Sequence, residues 1–235
     1  MGFLFVMVRR FPLFRQSVIL ALASAFCLAL LAARVYATGF ITYAFLAWNL
    51  FLAVVPYILA LLLFRYRRPQ RLDSGGLILI LVWLAFLPNS FYLVTDLIHL
   101  QARNGVPLWY DVLLLFSFAW TGLMIGFCSL QPVHALVAER LGARKGWAFV
   151  VLVLTLVALG VYLGRFLRWN SWDLILNLDR VLGDVLDRLT APGGRLRPYG
   201  MTLLLSAFFF LGYLTLYHFT RGPAHPKATE LERPS

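Results

Sequence analysis

Six long apolar runs constrain the fold of this chain more than any other feature of its sequence. A helix of about 20 residues, each rising 1.5 Å, crosses the ~30 Å hydrocarbon core of a bilayer. Hydrocarbon offers no partners to backbone N–H and C=O groups, so a crossing segment must hydrogen-bond within itself. The sequence therefore predicts an all-α fold, a six-span transmembrane helical bundle. The spans are expected at residues 17–33, 40–64, 76–98, 109–130, 146–165 and 199–219.

Composition and charge agree with this class of protein. The chain is 61% hydrophobic and 13% charged, whereas a soluble domain is about half apolar and a quarter charged. A net charge of +11 would suggest nucleic-acid binding in a soluble protein. Here the basic residues are scattered over the flanks of the spans and form no continuous face, so no nucleic-acid partner is expected.

The basic residues also orient the bundle. Lys and Arg number 3, 1, 4, 1 and 3 in the first five flanks, and this alternation places both chain ends in the cytoplasm. The sixth flank, with six arginines, breaks the alternation, but four aspartates nearly offset them. We expect a cytoplasmic N-terminal segment at residues 1–16, a single transmembrane domain at 17–220 and a disordered cytoplasmic tail at 221–235.

Two segments need separate interpretations. The first span could be a secretory signal, because arginines and an apolar stretch precede Val35-Tyr36-Ala37. A stripe of small residues at helical spacing instead favours a permanent helix packed closely against a neighbour. The stripe consists of Ala21, Ala25, Ala29 and Ala33.

Residues 171–190 carry apolar and charged faces at helical spacing, which predicts an amphipathic interfacial helix on the outer surface.

Several other residues are assigned structural roles. Cys27 and Cys128 lie inside apolar runs, where cysteine packs as a small hydrophobe, so these two residues indicate neither a disulfide nor a metal site. No metal ligands are assigned, and no cofactor is predicted. His134, next to a proline on the cytoplasmic side, is expected to be solvated. Glycines four residues apart put small groups on one helix face and predict close helix packing. These glycines are Gly122, Gly126, Gly160 and Gly164.

Two asparagines lie inside the spans, where polar side chains are costly. Asn49 and Asn89 each lie nine residues from the outer end of their span, about 13 Å deep at 1.5 Å per residue. The favoured interpretation is an interhelical hydrogen bond between them. Pro88 leaves a carbonyl without its donor, so Asn89 could also serve that kink.

Charged and polar side chains gather at the predicted outer ends of the third, fourth and fifth spans. Asp96 and His99, three residues apart, share a helix face, and Asp111 opens the fourth span. The fifth span ends in charges and is followed by a polar and aromatic segment. These residues are Arg165, Arg168, Asn170, Trp172 and Asp173.

Three interpretations of this outer group remain open. The arginines could form an ion-pair clasp with Asp96, Asp111 or Asp173, because guanidinium–carboxylate pairs suit partly desolvated sites. Arg165 and Arg168 could instead bind a lipid phosphate or another acidic headgroup. A catalytic or metal site built by Asp96, His99, Asp111 and Asp173 is the third interpretation, and the first three are the catalytic candidates.

The same positions carry a resemblance. Trp48-Asn49, Leu87-Pro88-Asn89, Trp109-Tyr110-Asp111 and the run Gly-Arg-Phe-Leu-Arg-Trp-Asn-Ser-Trp-Asp at 164–173 resemble the motifs of a family of bacterial multi-spanning membrane proteins of unknown function. The likeness covers about residues 40–220. It implies an integral protein of the bacterial cytoplasmic (inner) membrane and transfers no catalytic roles.

These observations lead to a working hypothesis of function. We expect a membrane-embedded protein that binds an anionic lipid headgroup or an envelope protein partner at the outer polar site. An integral membrane enzyme acting on a lipid-linked substrate is the alternative, with His99 or an aspartate as general base. A transporter comes third, because few polar groups are visible in the inner half of the spans. The oligomeric state stays open.

Overall fold

The computed structural model describes residues 2–65, 74–102, 105–167, 177, 179–180, 183 and 196–221. Six helices in this part of the chain are long and apolar enough to cross a membrane, which confirms the six-span, all-α prediction. They are α1 (Gly2–Thr38), α2 (Phe45–Arg65), α3 (Ser74–Tyr92), α4 (Leu108–Leu141), α5 (Ala143–Tyr162) and α6 (Leu196–Arg221).

Several helix boundaries differ from the predicted spans. α1 begins at Gly2, inside the expected N-terminal segment, and α4 continues to Leu141 through an internal proline. A helix can continue beyond the apolar run that predicts a span, because its backbone hydrogen bonds do not depend on apolar side chains. α2 begins only at Phe45, because Gly39 adopts a φ of +70° and ends α1 with a bond from its N–H to the carbonyl of Val35.

Two helices end in irregular turns. α3 passes at Tyr92 into a 3-10 helix, Leu93–His99, and α5 passes at Tyr162 into a π-helical turn, Leu163–Leu167. A 3-10 helix has three residues per turn and a π turn has a wider repeat, so each re-aims the side chains that follow.

Helix α4 organises the packing. It contacts α1, α2, α3, α5 and α6. One apolar core packs between α3, α4, α5 and α6 and includes Phe91, Phe127 and Phe209. A second core joins α1 and α2 to the other side of α4 and includes Leu46 and Phe118.

Close helix contacts depend on glycine, as predicted. A Cβ on Gly122 would lie 2.5 Å from the carbonyl oxygen of Ser90, and one on Gly126 would lie 2.5 Å from the ring of Phe91. On α5, a Cβ on Gly160 would lie 2.7 Å from Pro88. α4 and α5 therefore approach α3 more closely than a side chain would allow.

Two structural expectations were wrong. The alanine stripe of α1 is exposed, because α1 turns Leu20, Cys27, Leu31 and Arg34 toward the bundle instead. His134 is buried at 3% exposure, since its Nδ1 lies 2.9 Å from the hydroxyl of Tyr213 and its ring packs against aromatic side chains. Apolar spacing along one helix does not show which face its neighbours cover.

Other expectations lie mostly outside the described residues. Of the predicted amphipathic helix at 171–190, the structure describes Asn177, Asp179, Arg180 and Gly183, with a bond from the N–H of Arg180 to the carbonyl of Asn177. The predicted tail beyond Arg221 lies outside them as well.

The glycine contacts generate a test of the packing. Gly122→Ala should lower the melting temperature in detergent, because the added Cβ meets a backbone carbonyl that cannot move aside. Overpacking of this kind costs about 1–3 kcal/mol. Gly200→Ala is the matched control, since a Cβ there meets nothing within 4 Å and alanine favours a helix. Equal melting temperatures for the two variants would contradict the close α3–α4 contact.

Candidate functional site

The polar side chains meet at one end of the bundle, which we call the ion-pair end. It is formed by the end of α1, the start of α2, the 3-10 helix, the start of α4 and the π turn. Among the described residues, two ion pairs lie there: Arg165 with Asp96, and Arg34 with Asp111.

Asp96 is the centre of the first pair, and its side chain is only 1% exposed. Nη2 of Arg165 donates to its Oδ1 over 2.5 Å, and Nδ2 of Asn49 donates to its Oδ2 over 2.9 Å. Both carboxylate oxygens are therefore occupied, and the 3-10 helix is tied to α2 as well as to the π turn.

Arg165 spreads its contacts over the same face. Its Nε and Nη2 both donate to Oγ1 of Thr95, over 3.0 and 2.8 Å, and its Nη1 lies 3.2 Å from Nε2 of His99. The guanidinium carbon lies 4.4 Å from the centre of the Tyr92 ring, within range of a cation–π contact. Together with the bond to Asp96, these hydrogen bonds use four of the five N–H groups of the guanidinium.

The irregular turns explain how these side chains converge. With three residues per turn, Asp96 and His99 lie directly above one another on the 3-10 helix. Arg165 is the third residue of the π turn, so its direction departs from that of a continued α5. Neither feature is visible in hydropathy, although the spacing of Asp96 and His99 correctly predicted a shared face.

The contact with Arg165 fixes the tautomer of His99. A guanidinium only donates, so Nε2 of His99 must accept from Nη1 and its imidazole proton lies on Nδ1. The hydroxyl of Tyr43 donates to the backbone carbonyl of His99 over 3.1 Å, and the Phe45 ring packs edge-on against the imidazole. His99 itself is partly exposed.

The second pair joins α1 to α4. Nε of Arg34 donates to Oδ1 of Asp111 over 2.6 Å, and Nη2 donates to Oδ2 over 3.1 Å. Their side chains are 2% and 1% exposed. The hydroxyl of Tyr110 adds a bond to the carbonyl of Leu30 over 2.8 Å. This bidentate pair is a closed clasp between the two helices.

The two pairs differ in how open they are. Arg34 is enclosed and gives two N–H groups to one carboxylate, whereas Arg165 is 11% exposed and reaches three side chains. Asn49, Tyr92 and His99 around Arg165 are also partly exposed. We define the Arg165–Asp96 cluster as Arg165, Asp96, Asn49, Thr95 and His99. Among the described ion pairs, it is the one with partly exposed side chains that a ligand can reach: Arg165, Asn49 and His99.

The sequence predictions for this end divide into three groups. Arg165, Asp96 and His99 come together as an ion-pair clasp predicts, but Asp111 pairs with Arg34 and not with Arg165. The predicted hydrogen bond between the two asparagines was wrong. The amide of Asn49 donates to Asp96, and the amide of Asn89 donates to the carbonyl of Phe86 over 2.9 Å, next to Pro88. The remaining predicted residues lie outside the described part: Arg168, Asn170, Trp172 and Asp173.

Arg34, Thr95 and Tyr43 were missed from the sequence. Arg34 was counted only as a basic residue flanking a span. The signal that could have found it is its position: a lone arginine in the last two turns of an apolar helix, with no aspartate or glutamate on that helix. Such a charge must find a carboxylate on another helix.

Polar side chains are also paired toward the opposite end, where the sequence indicated few. Nε1 of Trp83 donates to Oγ of Ser129 over 2.8 Å, and Ser129 donates to the carbonyl of Pro56 over 2.9 Å. The hydroxyls of Ser17 and Tyr57 lie 2.9 Å apart. These pairs link helices in the manner of interhelical hydrogen bonds.

Comparison with known families identifies the class. Residues 48–214 match the model of a family described as "Protein of unknown function (DUF1361)", so the chain belongs to that family of membrane-type, helical proteins. The matched region contains Asn49, Asp96, Asp111 and Arg165, whereas Arg34 lies before it. Comparisons with curated proteins and with solved structures each returned no match.

The Arg34–Asp111 pair, which we call the closed pair, can be tested through the stability of the protein. Arg34→Gln should lower the melting temperature strongly, because it leaves Asp111 buried without a cation, a loss of about 3–5 kcal/mol. The double variant Arg34→Gln, Asp111→Asn should recover most of that loss, because no charge stays unpaired. A double variant no more stable than Arg34→Gln alone would contradict the clasp.

Proposed function

We propose that this protein is a membrane-embedded binding protein that takes an acidic lipid headgroup at the Arg165–Asp96 cluster. The observation that carries the proposal is the contrast between the two ion pairs. One is closed by bidentate contacts, whereas the other leaves a guanidinium and an imidazole partly exposed at the end of the bundle.

The donors that remain suit a phosphate oxygen. Among the described residues, four N–H groups of Arg165 have acceptors and one remains, and His99 carries its proton on Nδ1, away from Arg165. Asp96 neutralises Arg165, so the cluster alone has no net positive charge. Arg168, three residues further along the sequence, would supply the charge that attracts an anion.

The enzyme alternative has weaker support. A general base needs a free lone pair within reach of the substrate. The carboxylates of Asp111 and Asp96 are each 1% exposed and paired with a guanidinium, so neither lies within reach of a substrate. His99 is the remaining candidate, and its Nε2 already accepts from Arg165. In a transporter, polar groups of the opposite half would line a path, but Trp83, Ser129 and Tyr57 bond to neighbouring helices.

We further propose that the protein resides in the bacterial cytoplasmic membrane with both chain ends inside. The alternation of basic flanks supports this orientation. The ion-pair end then faces outward, where headgroups of the outer leaflet, or an envelope protein partner that presents an acidic group, reach the cluster.

Cysteine labelling tests the orientation. Ala102→Cys, at the exposed ion-pair end, should react in intact cells with a membrane-impermeant maleimide. Ala143→Cys, exposed at the opposite end, should react only after permeabilisation. The native Cys27 and Cys128 are buried and provide the background. Labelling of position 143 alone in intact cells would reverse the orientation.

Lipid retention tests the binding proposal. In native mass spectrometry from mild detergent, the parent protein should retain added phosphatidylglycerol more than phosphatidylcholine. The double variant Arg165→Gln, Asp96→Asn should lose that preference, because it removes the guanidinium while keeping the cluster neutral.

The closed pair supplies the matched control. Arg34→Gln, Asp111→Asn makes the same two substitutions in the same end of the bundle but leaves the Arg165 guanidinium in place. It should keep the preference for phosphatidylglycerol over phosphatidylcholine, even if total lipid retention falls. Equal retention by the parent and the Arg165–Asp96 double variant would refute a headgroup site at this cluster. Loss of the preference for phosphatidylglycerol in both double variants would refute its assignment to the open pair.

A further inference from the structure

Tyr43 contacts Arg34 of the closed ion pair and His99 of the Arg165–Asp96 cluster. Its ring lies under Arg34, with the guanidinium carbon 4.6 Å from the ring centre, and its hydroxyl donates to the carbonyl of His99 over 3.1 Å. The side chain is 1% exposed, so these contacts form in the interior of the bundle. Tyr43 lies in the short connection between α1 and α2 and belongs to neither helix.

The hydroxyl bond matters because of where the carbonyl lies. His99 is the last residue of the 3-10 helix, and the last carbonyls of a helix have no donors within it. Tyr43 supplies a donor to that carbonyl. Two residues later, Phe45 packs its ring edge-on against the imidazole at 5.2 Å between centres. The α1–α2 connection therefore holds both the backbone and the ring of His99.

The other face of Tyr43 is held by the closed pair. Arg34 is fixed by two bonds to Asp111, so its guanidinium plane has little freedom. A fixed cation over an aromatic face contributes about 0.5–2 kcal/mol and limits the tilt of the ring. A tilt of the ring would move the hydroxyl away from the carbonyl of His99.

We infer that Tyr43 is a positioning residue through which the Arg34–Asp111 clasp sets the orientation of His99. The inference rests on the proposed function only in taking the Arg165–Asp96 cluster as the binding site. Its chain of contacts runs from Asp111 to Arg34, to the Tyr43 ring, to the backbone of His99. In this arrangement α1 has two roles: it packs against α4, and it controls the geometry of the site.

Imidazole nitrogen chemical shifts report this control without any ligand. The full-length protein, labelled with ¹⁵N only in its histidines, is measured in detergent, and His99→Gln assigns the His99 signals among the four histidines. Tyr43→Phe keeps the ring under Arg34 and removes only the hydroxyl. It should shift or split the Nδ1 and Nε2 signals of His99 and leave those of His134 unchanged.

Tyr110→Phe is the matched control. It removes a part-buried hydroxyl bond to a backbone carbonyl, that of Leu30, at the same end of the bundle, but Leu30 is not in the 3-10 helix. Its His99 signals should match those of the parent, even if its melting temperature falls as much as that of Tyr43→Phe. The double variant Arg34→Gln, Asp111→Asn should shift the His99 signals in the direction of Tyr43→Phe, and adding Tyr43→Phe should add little.

Unchanged His99 signals in Tyr43→Phe, or equal shifts in Tyr43→Phe and Tyr110→Phe, would overturn the inference. Because the readout contains no lipid, it is independent of the retention experiment. If the Arg165→Gln, Asp96→Asn variant retained phosphatidylglycerol as the parent does, the proposed function would fail while the role of Tyr43 still stood on the chemical shifts.

Discussion

A charge inside hydrocarbon needs an opposite charge close by, and this requirement fixes the arrangement of the helices at the ion-pair end. Leaving one partner of a buried pair alone costs about 3–5 kcal/mol, whereas apolar contacts between spans discriminate weakly because lipid is equally apolar. Arg34 on α1 must therefore lie beside Asp111 on α4, and the π turn must lie beside the 3-10 helix so that Arg165 reaches Asp96. Glycines on α4 and α5 then allow the approach to α3 that brings these groups into range.

The irregular turns follow from the same requirement. A continued α5 would aim Arg165 by the regular 100° step of an α-helix, and a continued α3 would separate Asp96 and His99 around its axis. The π turn and the 3-10 helix change both directions near the ends of the spans. Departures from regular helix are frequent at functional sites. Here they produce a cluster in which one guanidinium contacts a carboxylate, a hydroxyl and an imidazole.

The sequence predicts those features of the fold and the site that depend on a single helix, and it does not predict those that depend on contacts between helices. Spanning length and the shared face of Asp96 and His99 are local properties, and both were predicted. The partner of Asp111 is not local: aspartate at 111 could pair with any cation at its depth, and only the contact of α1 with α4 selects Arg34 over Arg165. The same holds for Asn49, whose amide had several acceptors within reach, and for His134, whose burial depends on Tyr213 and Trp147 from later helices.

The family match adds a last consequence of charge pairing. Asp111 lies inside the matched region, 48–214, and Arg34 lies before it. A buried carboxylate at 111 cannot be satisfied by Arg165, because that guanidinium is already committed to Asp96, Thr95 and His99. In this chain the cation comes from the end of α1, a segment before the match. The first helix is thus bound to the matched domain by an ion pair, and through Tyr43 this pair also reaches the open cluster. In physical terms, α1 and the matched domain form one unit.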